Sequence, residues 1–295
     1  MESERSLGTE MKIRTLVSAG LLLSLTLSIA QPVVAATPVK KLLWSQEFNE
    51  AAGTPPSAKY FKYDLGGGGW GNKEMQWYTE DAVQTNGEGQ LVLTASKIPT
   101  TEDGDLPYNC FGDCQYFSGR INTQGKIRFK YGRLEAKIQM PAGSGVWPAF
   151  WLLGSNIVAK SWPTSGEIDV VELRGREPNR DIATAHGPGY SGANGKTGVK
   201  NAPESLAAGY HTYAIEWAAN KITWFLDGKA FHTVTPATVK PNTYVFNQDF
   251  FLILNVAMGG DFDGGLLDTS IEKAEMKVDY IRYYSINGVG KVTTK

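Results

Sequence analysis

Apolar and polar residues alternate with period two along several stretches of the chain. From Arg133 to Met140, Leu134, Ala136, Ile138 and Met140 fall on one face and Arg133, Glu135, Lys137 and Gln139 on the other. That is the pattern of a strand with one face against a core. Leu91, Leu93 and Ala95 repeat it. Ile222 to Leu226, then Asp227-Gly228, then Lys229 to Val234 predicts a hairpin, because the central dipeptide suits a two-residue primed turn. Phe250 to Met258 is an apolar run broken only by Asn255, as a strand buried on both faces would be. Val278 to Tyr284 reads as a final strand. Past the N-terminal region no stretch combines a 3.6-residue stripe with caps. Short strands joined by Gly- and Pro-rich segments predict an all-β chain, a sandwich or jelly roll. No internal repeat and no linker marks a second domain.

The N-terminal region follows a different rule. Lys12 and Arg14 precede an apolar run from Leu16 to Ala30, and Val34-Ala35-Ala36 ends it with small residues. Residues 1–36 are therefore expected to be a secretory signal peptide, cut near Ala36, leaving 37–295 as one domain outside the cell. A membrane anchor is the competing reading, but an apolar core of about 15 residues falls short of the ~20 that span a bilayer. The three Glu ahead of Met11 are unusual in a leader, so translation starting at Met11 fits better. Export also bears on Cys110 and Cys114, the only cysteines. A lone close pair outside the cytosol is expected to be a disulfide, and no further ligands for a thiolate metal site lie nearby.

Composition narrows the function classes. The 295 residues carry 29 Lys+Arg against 30 Asp+Glu, which argues against a nucleic-acid binder. The three histidines, His186, His211 and His232, are too far apart for a short two-His metal motif. Gly187 to Gly192 fits G-x-G-x-x-G but leads into Ala-Asn-Gly-Lys-Thr-Gly, which is no helix and offers no dipole end to a pyrophosphate. Gly195-Lys196-Thr197 lacks the glycine five residues earlier, where Tyr190 stands, and the Gly66 to Gly69 run lacks a following Lys-Ser/Thr. All three read as loops.

The segment Trp162 to Glu172 carries acids at 167, 169 and 172 among Ile168, Val170 and Val171. The β-branched residues favour a strand. There Glu167 and Asp169 share a face, while a regular strand would aim Glu172 into the core at a cost of several kcal/mol. One extra residue near Val170-Val171, a β-bulge, returns Glu172 to the face of the other two. A calcium site or a solvated edge would also collect acids, but the apolar flanks disfavour an edge. Ligands strung along one strand do not wrap an ion as a loop does. The chemical reading is a carboxylate pair, Glu167 and Glu172, with Asp169 between them. A separation of about 5–5.5 Å would suit a double-displacement glycosidase. Repulsion from Asp169 and Glu167 is expected to keep Glu172 protonated.

Glu-Ile-Asp-Val-Val-Glu after Trp-Pro-x-x-Gly resembles the signature of glycoside hydrolase family 16 in its bulged, laminarinase-like form. The resemblance continues through Trp44 to Phe48, Trp70-Gly71-Asn72-Lys73-Glu74, Tyr131 to Pro141, Trp147 to Trp151, Leu254 to Ala257 and Val278-Asp279-Tyr280. It implies a β-jelly roll of two antiparallel sheets with a concave glycan groove. It also implies Glu167 as nucleophile, Asp169 as its hydrogen-bonding helper and Glu172 as acid/base. Trp162 resembles the family's sugar-stacking Trp, His186 the His on the neighbouring strand, and Arg120 and Asn72 its sugar-hydroxyl contacts. Trp147 and Trp151 share a face that is groove or core, and Asn255 is either a contact or structural.

The resemblance further implies a structural calcium at Glu47 and Asp279 with a backbone carbonyl near Gly87, although an ordinary surface acid and a hydrogen-bonded strand acid would look the same. No cofactor is expected for catalysis, and the chain is expected to be monomeric. The expected activity is endo-acting, retaining hydrolysis of β-1,3 or mixed β-1,3/1,4 glucan. The alternatives are an agarase- or carrageenase-like galactan hydrolase, a transglycosylase, or a non-catalytic β-glucan-binding module. The last is disfavoured because both Glu167 and Glu172 are present.

Overall fold

The computed structural model describes residues 38–99, 109–110 and 112–295. The expected leader, 1–36, and the Met11 start lie outside them. Residues 38–295 cluster as one unit, built almost wholly of strands; the one α-helix among the described residues is the four-residue Pro236–Val239.

Two stacked sheets form the sandwich. The first runs in the order Lys229–Val234, Lys221–Leu226, His211–Ala218, Gly132–Gln139, Lys273–Ile286, Leu91–Lys97, Tyr116–Ser118, Gln76–Tyr78. Lys40–Gln46 and Val83–Thr85 pair alongside. The second runs Lys196–Asn201, Arg180–His186, Glu167–Glu172, Val146–Gly154, Phe250–Met258, Ile127–Lys130, Lys291–Thr294, with Arg120–Asn122 and Lys62–Tyr63 beside it. The pairing is antiparallel except between Gln76–Tyr78 and Tyr116–Ser118, which run parallel.

Period-two patterning builds the core between the sheets. Leu134, Ala136, Ile138 and Met140 are all buried, as are Leu91, Leu93 and Ala95. The Asp227-Gly228 turn has φ of 49° and 74°, both positive as a primed hairpin turn requires. Phe250–Met258 is buried at every position because it is an interior strand with core on one face. Its other face lies toward the residues that form the cleft described below. Cys110 and Cys114 form a disulfide, packed with Ile98, Trp77 and Phe117 away from the main core.

Candidate active site

The Glu167–Glu172 strand lies inside the second sheet, between Val146–Gly154 and Arg180–His186. Its register slips by one residue at Val170. Phe150 pairs with Val171 but Trp151 pairs with Asp169. On the other side Asp169 pairs with Thr184 and Glu172 with Ile182. The extra residue lets Val170 and Val171 both enter the core, and Glu167, Asp169 and Glu172 all line one cleft. The bulge thus converts a sequence spacing that is wrong for a regular strand into three carboxylates on one face.

The cleft holds about 330 Å³, and Trp70, Trp147, Trp151 and Trp162 are among its lining residues. Trp147 Nε1 donates to Glu172 Oε1 at 3.1 Å. Trp162 is 45% exposed, a flat apolar platform open to solvent. Arg120 places its guanidinium over the rings of Trp70 and Trp151, at 4.7 and 5.1 Å, and pairs with Asp64 at 3.0 Å. Asn72 also lines the cleft and donates to Glu74 Oε1 at 2.9 Å. The ambiguity over Trp147 and Trp151 therefore falls on the cleft side.

His186 stands beside Trp162 of the cleft wall, with ring centroids 6.2 Å apart. It is buried, with Nε2 3.1 Å from Asp169 Oδ2 and 3.7 Å from Glu167 Oε1. Pairing of Glu167 with His186 across adjacent strands puts the imidazole beside the acids, where it moderates their charge. The donor atoms of Glu167, Asp169 and His186 lie within 4.8 Å of one another, close enough to hold a cation.

Burial dominates the titration of the cluster. It pushes the Glu172 carboxyl up to about 8, with the Asp169 charge adding to the rise and His186 opposing it. Repulsion, expected as the leading cause, is secondary to desolvation. Burial likewise pushes Glu167 and Asp169 well above the usual carboxylate range, and His186 offsets part of this for Glu167. Three acids so placed cannot all be ionised, so the cluster retains a proton at neutral pH.

Glu74, Trp70, Asp64 and Phe262 were given no role by sequence reasoning. Glu74 is buried and accepts from Asn72, from Gln76 Nε2 at 2.5 Å and from Tyr78 Oη at 3.5 Å. Asn255 donates to Tyr78 Oη at 3.2 Å and accepts from Trp151 Nε1 at 2.8 Å. This chain of hydrogen bonds ties the cleft floor to the Trp70–Glu74 turn, so Asn255 both lines the cleft and satisfies its buried amide. Glu74 belongs to the Trp70–Glu74 motif, but its burial depends on the tertiary packing. Phe262 stacks on Trp147 with centroids 4.7 Å apart.

The two acids expected as calcium ligands each stand against a basic side chain. Arg282 grips Glu47 through two bonds, 3.0 and 2.7 Å, and Lys137 Nζ lies 2.7 Å from Asp279.

A two-sheet jelly roll with paired carboxylates in an aromatic-walled cleft defines a glycoside hydrolase. The sequence matches glycosyl hydrolases family 16 over residues 70–282, and the chain belongs to that family. It is 36% identical over 277 residues to a glucan endo-1,3-beta-glucosidase A1 of Niallia circulans, covering 88% of this chain and 40% of that protein. It is 34% identical over 255 residues to a beta-glucanase of Rhodothermus marinus, covering 83% and 85%. The fold resembles the endo-beta-1,3-glucanase of Pyrococcus furiosus with a TM-score of 0.76 and 38% identity, over 84% of this chain and 95% of that one.

Proposed function

We propose that the chain is a retaining endo-β-glucanase of β-1,3 or mixed β-1,3/1,4 glucan, exported by the leader at 1–36 and acting as a monomer. The observation that carries this reading is the bulged strand, which turns Glu167 and Glu172 to one cleft while burial keeps Glu172 protonated. Glu167 Oε attacks the anomeric carbon and the C–O bond to the leaving sugar breaks as Glu172 gives its proton to the departing oxygen. The glycosyl–Glu167 ester is then cleaved by water, whose proton returns to Glu172 while its oxygen bonds the anomeric carbon. Asp169, beside His186, orients Glu167 and shares the proton of the cluster. The indole faces of Trp162 and its neighbours suit the C–H faces of glucose rings. The names of the relatives support a glucan over a galactan.

Incubating residues 37–295 with laminarin, lichenan, agarose and κ-carrageenan and identifying the new reducing ends tests the substrate class. The expected products are oligosaccharides from laminarin or lichenan, first released with retained anomeric configuration. Turnover of neither glucan sinks the substrate reading. Inversion sinks the double displacement. Glu167→Ala is expected to lose about 10⁴-fold or more in kcat. Expression of the full chain in a secreting host, with residues 11–36 deleted in parallel, tests export through the appearance of protein in the medium.

A further inference from the structure

The bulge that re-aims Glu172 has a structural cost. In a regular strand every carbonyl points to a neighbouring strand, but the extra residue disrupts the ladder locally, and a buried carbonyl without a donor is costly. The Asp169 carbonyl accepts a hydrogen bond from outside its own sheet. Trp224 Nε1, on the Lys221–Leu226 strand of the opposite sheet, donates to Asp169 O at 2.8 Å. Trp224 is fully buried. Its indole is clamped by His232 on the paired strand, centroids 4.9 Å apart. His232 Nε2 in turn donates to Lys196 O at 3.0 Å, on the edge strand of the catalytic sheet. A Cβ at Gly198 would come within 2.3 Å of the His232 ring, so only glycine permits this approach.

We propose that Trp224 is a positioning residue for the catalytic bulge: its cross-sheet hydrogen bond fixes the Asp169 carbonyl and thereby the aim of Asp169 and Glu172 into the cleft. No atom of Trp224 meets the cleft, and it acts only through the backbone between the acids. Without the N–H, the bulge is free to migrate along the strand or flatten, and a shift of about 1 Å at the acids costs on the order of a hundredfold in rate. The proposal rests on Glu172 being the acid/base.

The test is Trp224→Phe, assayed for kcat, KM and the pH profile of kcat/KM on soluble β-glucan, well below its melting temperature. Trp217→Phe is the control. Trp217 is also buried and its Nε1 donates to a core carbonyl, Phe246 O at 2.9 Å. It therefore loses a comparable bond with no link to the bulge. Trp224→Phe is expected to lower kcat about ten- to a hundredfold, with KM within about twofold, and to shift the alkaline limb of the profile. That limb reports the surroundings of Glu172: Glu167 and Asp169 on its own strand, His186 from one side, Trp147 from the other and Arg174 just beyond the strand end. Trp217→Phe is expected to leave kcat and the limb unchanged.

Should Trp224→Phe not fold, benzothienylalanine at position 224, which keeps the bicyclic ring and lacks the N–H, is measured instead with the same expectation. Unchanged kcat and limb in the Trp224 variant, or an equal loss in Trp217→Phe, overturns the proposal. Glu172→Gln separates the two layers: if it keeps wild-type turnover, the acid/base reading fails, whatever the Trp224 variant does.

Discussion

Replacing Glu172 with Gln should destroy activity and stabilise the fold, the second effect appearing only above acid pH. Burial raises the Glu172 carboxyl from 4.5 to about 8. Below pH 4 the group is protonated in both folded and unfolded chains and contributes no pH dependence. Between about 4.5 and 8 the unfolded chain releases the proton that the folded chain keeps, so folding stability falls as pH rises. Above 8 both states are ionised and the loss is complete. At 1.36 kcal/mol per pKa unit the full shift corresponds to about 5 kcal/mol. Glu172 is only partly buried by surface exposure and faces the wet cleft, so about 1–2 kcal/mol is the realistic gain from removing it. Gln preserves the shape and still accepts the Trp147 N–H. Urea melts of both proteins at pH 4 and pH 8.5 should show near-equal midpoints at the lower pH and a higher midpoint for Glu172→Gln at the upper. A stability difference that does not grow with pH would refute the buried, proton-holding carboxyl.

Trp147→Phe removes a hydrogen bond that favours the ionised form of Glu172. The differential worth is about 1 kcal/mol, so the alkaline limb of kcat/KM should move up by somewhat under one pH unit; a downward shift contradicts it. Trp162→Ala, at an exposed platform, should raise KM about tenfold through lost stacking of about 1–1.5 kcal/mol while the melting temperature stays within a degree or two. An unchanged KM would remove Trp162 from the sugar path. Arg282→Met should leave Glu47 without its partner. If the ion pair, not calcium, satisfies that acid, added calcium chelator should leave the wild-type melting temperature unchanged, as calorimetry would register.

Much of the fold was legible because alternation is local. Leu134 through Met140, the Asp227-Gly228 turn and the apolar Phe250–Met258 run each state their structure within a few residues. The bulge was legible for a related reason: Glu172 falls out of phase beside Ile168 and Val170, and a core refuses an unpaired carboxylate. Trp147 and Trp151 were not assignable, since an indole serves core or cleft equally well and only sheet stacking decides which face looks inward.

The sequence by itself therefore determined the strands, the hairpin, the phase conflict that demands a bulge and the family to which that motif belongs. Tertiary structure alone decided where charges meet. It set Arg282 on Glu47 and Lys137 on Asp279, and His186 beside the acids. It also placed Trp224 on the Asp169 carbonyl, 55 residues away in sequence. Periodicity is written in neighbours along the chain, whereas burial, ion pairing and cross-sheet hydrogen bonds depend on which distant strands pack together.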